Sequence, residues 1–325
     1  MILFSVIIPT FNRWESLQGT LLSLFRQEFD KSSFEIIVVD DGSSDETDSE
    51  TKKIMEREPN LRYFRQTNSG PAKARNLGLS QAKGSIMAFI DSDALADKKW
   101  LANAKIYFDR QDVFALEGKI ITPAGSKIGL FSHYFENPRG GLYQTCNMFF
   151  RKDVLLSVGG FDERFKKEHF FREDSDLIFS LAEKGYSIER IPFAPDVIAS
   201  HPPRKESPLS IINRAKRYQW DPLLYKKHPA LYKKYIGGAI DGATNLVIFS
   251  IILIFFAALF RIPSLSIGGL ALMAIVYAAE IIKQSQGKTF NWAELGLFTI
   301  LSMPVPFIRL AYLLKGNYYH KVWLW

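Results

Sequence analysis

Over the first two hundred positions, short apolar runs alternate with longer amphipathic stretches. Residues 2–8, 34–39, 61–65 and 85–90 are rich in β-branched and aromatic side chains and predict strands. Between the first two runs, Trp14, Leu17, Leu21 and Leu24 recur at spacings of three or four, which places them on one helix face. Pro71 sits at an expected first helical position, and Asp97 is an expected N-cap before Trp100, Leu101 and Ile106. Residues 173–183 place Leu177, Ile178, Leu181 and Ala182 on one helical face, and residues 196–200 read as a further strand. Strand and helix in alternation predict an α/β fold with a mostly parallel sheet covered on both faces. In such sheets ligands bind beyond the carboxyl ends of the strands, so the residues that follow each strand carry the chemistry.

After position 241 the pattern changes. Residues 243–260 carry no charge, and a helix over 242–260 rises about 28 Å, close to the hydrocarbon thickness of a bilayer. A second apolar run, 262–282, reads as the return leg of a hairpin. A third, 292–314, contains Glu294, Pro304, Pro306 and Arg309 and fits either a kinked span or a segment lying in the interface. Tyr318, Tyr319, Trp323 and Trp325 resemble interfacial anchors.

Composition sharpens this division. The 325 residues have a net charge of +7, yet only six of the 41 Lys and Arg and two of the 34 Asp and Glu fall after position 241. Nine basic residues against two acids lie between Arg204 and Lys234. Next to a first span, such a cluster favours the cytoplasmic side and anionic headgroups. The apolar tail argues against nucleic acid as its partner. Cys146 is the single cysteine, which excludes an internal disulfide and fits a reducing compartment. The run 2–8 meets Pro9 at once and reads as a buried strand, not a secretory signal. The expected organisation is a catalytic domain over 1–203, a basic juxtamembrane segment over 204–241 and a membrane domain over 242–325.

The strand ends are acidic. The second strand runs into Asp40-Asp41-Gly42-Ser43 and the fourth into Asp91-Ser92-Asp93. Asp, Gly and Ser are common in turns, but two carboxylate pairs on two strand ends of one sheet converge on one crevice. Carboxylates suit Mg²⁺ or Mn²⁺, an ion usually shared with substrate phosphates, so the pattern fits a metal-bound diphosphate. No G-x-G-x-x-G follows the first strand, Gly287-Lys288-Thr289 lacks the leading glycine of a P-loop, and neither H-E-x-x-H nor G-x-S-x-G occurs.

The strings Ser5–Arg13, Val38–Thr47, Gly70–Asn76, Asp91-Ser92-Asp93, Thr145–Met148, Gly159–Asp162 and Arg172–Asp176 together resemble glycosyltransferase family 2, the inverting nucleotide-sugar transferases of GT-A fold, over about residues 3–220. The resemblance implies that Thr10 and Asp40 line the base pocket and that Pro9, Asn12, Asp41, Arg75, Asp91 and Ser92 complete the nucleotide site. It implies that Asp93, with Asp91, binds the divalent ion, and that Asp174 is the general base toward the acceptor hydroxyl with Glu173 in support. His201 is a further candidate metal ligand. Arg217 and Trp220 are candidates for the acceptor or diphosphate side, although Arg214 stands where processive members carry the glutamine of Q-x-x-R-W. That departure favours transfer of a single sugar.

The expected activity is metal-dependent transfer from a nucleotide sugar, UDP-linked, to a hydroxyl of a membrane lipid, lipid-linked glycan or polysaccharide. A polyprenyl-phosphate sugar synthase is the alternative enzyme, but its anionic acceptor needs no base. A non-catalytic nucleotide-binding scaffold would not need the full carboxylate set, and a nucleotidyltransferase would need a Gly-rich basic loop where Asn12-Arg13-Trp14 stands.

Overall fold

A computed structural model describes residues 2–165 and 171–324; Trp325, an expected interfacial anchor, lies outside the described residues. In chain order the elements are β1 (Phe4–Thr10), α1 (Trp14–Phe25), β2 (Phe34–Asp40), α2 (Thr47–Met55), β3 (Leu61–Arg65), α3 (Pro71–Gln81), β4 (Ile86–Ile90), β5 (Leu95–Ala96), α4 (Trp100–Phe108) and β6 (Ala115–Ile121). They continue with β7 (Ser132–His133), β8 (Asn147–Arg151), α5 (Lys152–Ser157), α6 (Glu173–Glu183), β9 (Phe193–Ser200) and β10 (Arg204–Lys205). The remaining helices are α7 (Ser210–Lys216), α8 (Asp221–Lys227), α9 (Pro229–Tyr235), α10 (Gly242–Leu259), α11 (Pro263–Ser285), α12 (Trp292–Ser302) and α13 (Val305–His320), with a 3₁₀ turn, Arg217–Trp220, between α7 and α8.

Two compact units result. The first comprises residues 1–126 and 134–202, and the second residues 127–133 and 203–325. The first unit holds an eight-stranded sheet of order β3-β2-β1-β4-β8-β6-β9-β5. Its β3-β2-β1-β4 half is parallel, β8 runs antiparallel to both its neighbours, β6 and β9 pair in parallel, and β5 closes the edge antiparallel to β9. Every residue of β1 and β2 is buried, as expected of strands covered on both faces. Leu17, Leu21 and Leu24 of α1 and Trp100, Leu101 and Ala104 of α4 pack against them in one core. Pro71 opens α3 as expected. Asp97 does not: the N-cap of α4 is Lys99, and Asp97 instead accepts the Lys99 N–H at 2.9 Å to close the preceding turn.

The topology determines what meets at the carboxyl edge. Adjacent strands β2, β1 and β4 end at Asp40, Thr10 and Ile90, just before Asp41, Phe11 and Asp91. Because β8 is antiparallel to β4, with Asn147 opposite Ile90, it brings Thr145 and Cys146 to that edge. The pairing of Leu95 with Ser200 carries His201 toward Asp93.

In the second unit α10 and α11 pack as an antiparallel pair. The contact is close at Gly269, where a Cβ would lie 3.0 Å from the Ser250 carbonyl oxygen, the small-residue contact typical of helices in lipid. Residues 242–259, 263–285 and 292–320 are each helical, long and apolar enough to cross a membrane. Glu294, the one acid in the third run, completes a capping box with Asn291 at the start of α12. Residues 127–133 belong to this unit, where β7 pairs with β10.

Candidate active site

At the carboxyl edge of the first unit lies a crevice of about 390 Å³ lined by Pro9, Thr10, Asp41, Asn68, Gly70, Arg75, Asp91 and Ser92 among others, within the size range of a small-molecule pocket. Its rim is shaped by two loops that require glycine. Gly42 has φ +86°, and a Cβ there would meet the Asn68 backbone nitrogen at 3.0 Å. Gly70 has φ +98° at the N-cap of α3 and donates its N–H to Asp41 Oδ2 at 2.8 Å. Asp41 Oδ1 also accepts from the Ser69 N–H at 2.8 Å, so this carboxylate fixes the 66–70 loop against the strand end.

Asp40 ends β2 beside Asp41. It is fully buried and does not line the crevice; its oxygens accept from the Ser43 N–H at 2.7 Å and the Tyr63 hydroxyl at 2.6 Å. The burial and the Asp40 carboxylate together push the Tyr63 phenol pKa far up, keeping it a donor. Asp40 thus anchors the loop that follows β2. Asn12 is likewise outside the lining: its backbone N–H donates to Ser43 Oγ at 2.8 Å and its Oδ1 accepts from the Ser44 N–H at 2.7 Å, clamping the β1 loop to the β2 loop.

Among the residues lining the crevice, Thr10 Oγ1, Asn68 Oδ1 and Arg75 Nε are buried atoms without hydrogen-bond partners, and Arg75 Nη1 has only the Glu173 carboxylate at 3.6 Å. Buried polar groups rarely remain unpaired, and several aimed into one cleft point to a ligand that pairs them. Arg75, on α3, stacks over the Phe161 ring at 5.5 Å and lies 3.4 Å from Asp91 and 3.6 Å from Glu173. Burial works against its charge, but the Asp174, Asp91 and Glu173 carboxylates outweigh that penalty and hold its pKa above the ordinary arginine value.

Donor atoms of Asp91, Asp93 and His201 all lie within 4.8 Å of one another. His201 Nε2 is 3.1 Å from Asp93 Oδ1, while the Arg13 guanidinium lies 3.1 Å from Asp93 Oδ2. Two carboxylates and an imidazole form a donor set suited to Mg²⁺ or Mn²⁺, with room in the adjoining crevice for phosphate oxygens to complete the shell. Arg13 supplies a positive charge at the same carboxylate.

Asp174 lies in the first turn of α6, which starts immediately after Arg172 in the left-handed region at φ +78°. Its Oδ1 accepts from the Thr145 hydroxyl at 2.7 Å and its Oδ2 from the Thr145 N–H at 3.3 Å. Burial raises its pKa above the usual aspartate value, against the lowering effects of Arg75 and Thr145. A partly accessible carboxylate poised this way is suited to accept a proton. Glu173 is buried and faces Arg75, a supporting position. Cys146 is buried, and its thiol pKa is pushed well up by burial and the neighbouring carboxylates, which keeps it a neutral packing group.

Arg217 and Trp220 belong to the second unit, on the 3₁₀ turn; Trp220 is buried, its ring 6.0 Å from that of His320. Helix packing accounts for that position. In the sequence Thr145 and Arg13 stand out only as members of longer strings, and Asn68 carries no signal.

Comparison with known proteins agrees with these motifs. Residues 5–155 match the model of glycosyl transferase family 2, and residues 143–282 that of glycosyl transferase family group 2. Glycosyltransferase AglE of Haloferax volcanii is 30% identical over 213 residues, covering 62% of this chain and 67% of AglE. Poly(ribitol-phosphate) β-N-acetylglucosaminyltransferase TarS of Staphylococcus aureus is 38% identical over 135 residues, 40% of this chain but only 23% of TarS. The structure of TarS 1–349 with UDP-GlcNAc shares the fold, with a TM-score of 0.54 and 20% identity over 99% of this chain and 93% of that one. A Campylobacter jejuni protein named GalNAc(5)-diNAcBac-PP-undecaprenol β-1,3-glucosyltransferase is 41% identical over 91 residues, 27% of this chain and 29% of that protein. The chain thus spans about two thirds of AglE and less than a third of the other two relatives. With two family models covering most of its length and AglE matched over two thirds of its own, the chain belongs to glycosyltransferase family 2 and is a glycosyltransferase.

Proposed function

We propose that the protein transfers one sugar, with inversion, from a UDP-linked donor to a hydroxyl of a membrane-associated acceptor, a lipid-linked glycan or polysaccharide. The observation that carries this reading is the buried Arg75, whose Nε has no hydrogen-bond partner and which lines the same crevice as Asp91 of the Asp91-Asp93-His201 trio, with the Asp174 carboxylate acting on its charge. The donor diphosphate sits between Arg75 and the trio. Thr10 and Asn68, both lining the crevice with unpaired oxygens, meet the nucleoside together with Asp40 at the end of β2. A bound Mg²⁺ or Mn²⁺ neutralises charge on the departing nucleoside diphosphate.

Asp174 takes the proton of the acceptor hydroxyl as that oxygen bonds to the anomeric carbon and the bond to the diphosphate breaks on the opposite face. One displacement assisted by one base inverts the centre. Thr145 grips both carboxylate oxygens and fixes their direction. A phosphate acceptor would need no such base, which favours the hydroxyl over a polyprenyl-phosphate. The undecaprenol-linked glycan in the name of the Campylobacter relative and the UDP-GlcNAc in the TarS structure support the acceptor and donor classes chosen. The nine basic residues between Arg204 and Lys234 support a catalytic unit on the cytoplasmic face.

The test is a screen of nucleotide sugars with Mn²⁺ in detergent, followed by Asp174→Asn and Asp93→Asn on the active donor. Both substitutions are expected to abolish transfer. Turnover nearly intact in Asp174→Asn but lost in Asp93→Asn would overturn the hydroxyl-acceptor mechanism, and metal-independent indifference to every nucleotide would favour a scaffold.

A further inference from the structure

Residues 292–320 are long and apolar enough to cross a bilayer, but the contacts of the second unit place both of their ends on one side. Residues 127–133 are inserted in the sequence of the first unit and joined to it at both ends, so they lie on the catalytic side. The Thr289 N–H donates to the Ile128 carbonyl at 2.8 Å, which brings the turn between α11 and α12 to that same side. Phe298 of α12 then packs with Leu130, Phe131 and Ile211. At the other end, Lys226 Nζ donates to the His320 carbonyl at 2.7 Å. Lys226 belongs to α8, which precedes the first apolar helix in the chain and is again on the catalytic side.

Between these ends, the helices follow a shallow path. The Tyr277 hydroxyl donates to the Met303 carbonyl at 2.6 Å, and Tyr277 lies eight residues, about 12 Å, before the end of α11. The break between α12 and α13 is therefore the deepest point. By Arg309 the chain is back at the mouth of α10, where its guanidinium pairs with Asp241, the residue that caps α10. Along its length α13 packs on α7, the 3₁₀ turn and α8. Those elements carry Arg214, Lys216, Arg217, Lys226 and Lys227, and a spanning α13 would draw these charges into hydrocarbon, where each is costly. Trp292 and Ile300 of α12, Met303 at the break and Phe307 of α13 are exposed, as are Phe249, Phe255 and Leu259 of α10 and Ile267 and Ile275 of α11.

We propose that α12 and α13 form a re-entrant hairpin that enters the leaflet on the catalytic side and leaves by the same face, with the lipids of that leaflet as the partner of its exposed apolar surface. The chain then crosses the bilayer twice, and its C-terminal segment returns to the side of the active site. This rests on reading α10 and α11 as spans.

The test is single-cysteine labelling of the full chain in sealed spheroplasts with a membrane-impermeant maleimide, before and after permeabilisation. Lys52→Cys reports the catalytic unit, Arg261→Cys the turn between α10 and α11, and Tyr318→Cys the end of α13; all three positions are exposed, and native Cys146 is buried. The expected result is that Tyr318→Cys labels together with Lys52→Cys and opposite to Arg261→Cys. Labelling of Tyr318→Cys together with Arg261→Cys, opposite to Lys52→Cys, would establish a third crossing and overturn the hairpin. Labelling of all three together would overturn the spans and the hairpin with them.

Discussion

Thr145 holds both oxygens of Asp174, through its hydroxyl at 2.7 Å and its backbone N–H at 3.3 Å, across 29 residues of sequence. The hydroxyl bond favours the ionised carboxylate, while burial favours the protonated one. A hydrogen bond to a charged group contributes about 2 kcal/mol, or between one and two pH units. Thr145→Val should therefore move the acidic limb of the kcat/KM profile upward by about one pH unit and lower kcat about tenfold, as read from a pH–rate profile on the active donor.

Asp174→Asn should separate stability from activity. Because burial raises the folded-state pKa of Asp174, its contribution to stability is fully present below the unfolded value of about 4 and is lost as pH rises through the folded value. Above the folded value the wild-type protein carries an ionised carboxylate that burial disfavours, while Arg75 retains Asp91 and Glu173 as counter-charges. Removing the base lowers transfer about 10²- to 10⁴-fold, yet the unfolding midpoint at pH 7.5 should equal or exceed that of the wild type.

Chelation should lower turnover to background, and either Mn²⁺ or Mg²⁺ should restore it. Asp93 is shared by His201 and Arg13, so Asp93→Asn should weaken Mn²⁺ binding by at least about 100-fold, beyond the range typical of outer-shell changes. Titration calorimetry in the presence of UDP reads this directly.

Asn147 belongs to one of the family strings, but its part is structural. It is fully buried; its Oδ1 accepts from the Trp100 indole at 2.8 Å and its Nδ2 donates to the Lys119 and Val197 carbonyls at 2.9 and 3.0 Å. Asn147→Ala strands those partners and should cost about 2–4 kcal/mol. Thermal unfolding should shift by several degrees, while UDP affinity in the surviving folded protein stays within a few fold.

Local pattern carried the parts of the fold that local physics decides. The four leading strands, the Pro71 start of α3, the α6 helix over 173–183 and the acidic strand ends are all encoded within a few residues of themselves. Even the meeting of His201 with Asp91 and Asp93 was available as a candidate, because both segments follow strands. What escaped depends on contacts distant in sequence. Arg13 and Asp93 are 80 residues apart, and nothing in either segment signals the pair. The bond from the Tyr63 hydroxyl to the Asp40 carboxylate, one strand over, is likewise invisible in either segment. Glu294 read as a charge within an apolar run, and its capping-box geometry explains why it is tolerated there. The assignment of 127–133 to the second unit rests on pairing with Arg204–Lys205 and Thr289, which no periodicity announces.

The central claim is inverting transfer assisted by Asp174. The most direct measurement is proton NMR of the sugar released when the protein hydrolyses its α-linked UDP donor with Mn²⁺ and no acceptor, recorded before mutarotation. We expect the β anomer to appear first in the wild type and release to vanish in Asp174→Asn. A first-formed α anomer, or release undiminished by Asp174→Asn, would contradict it.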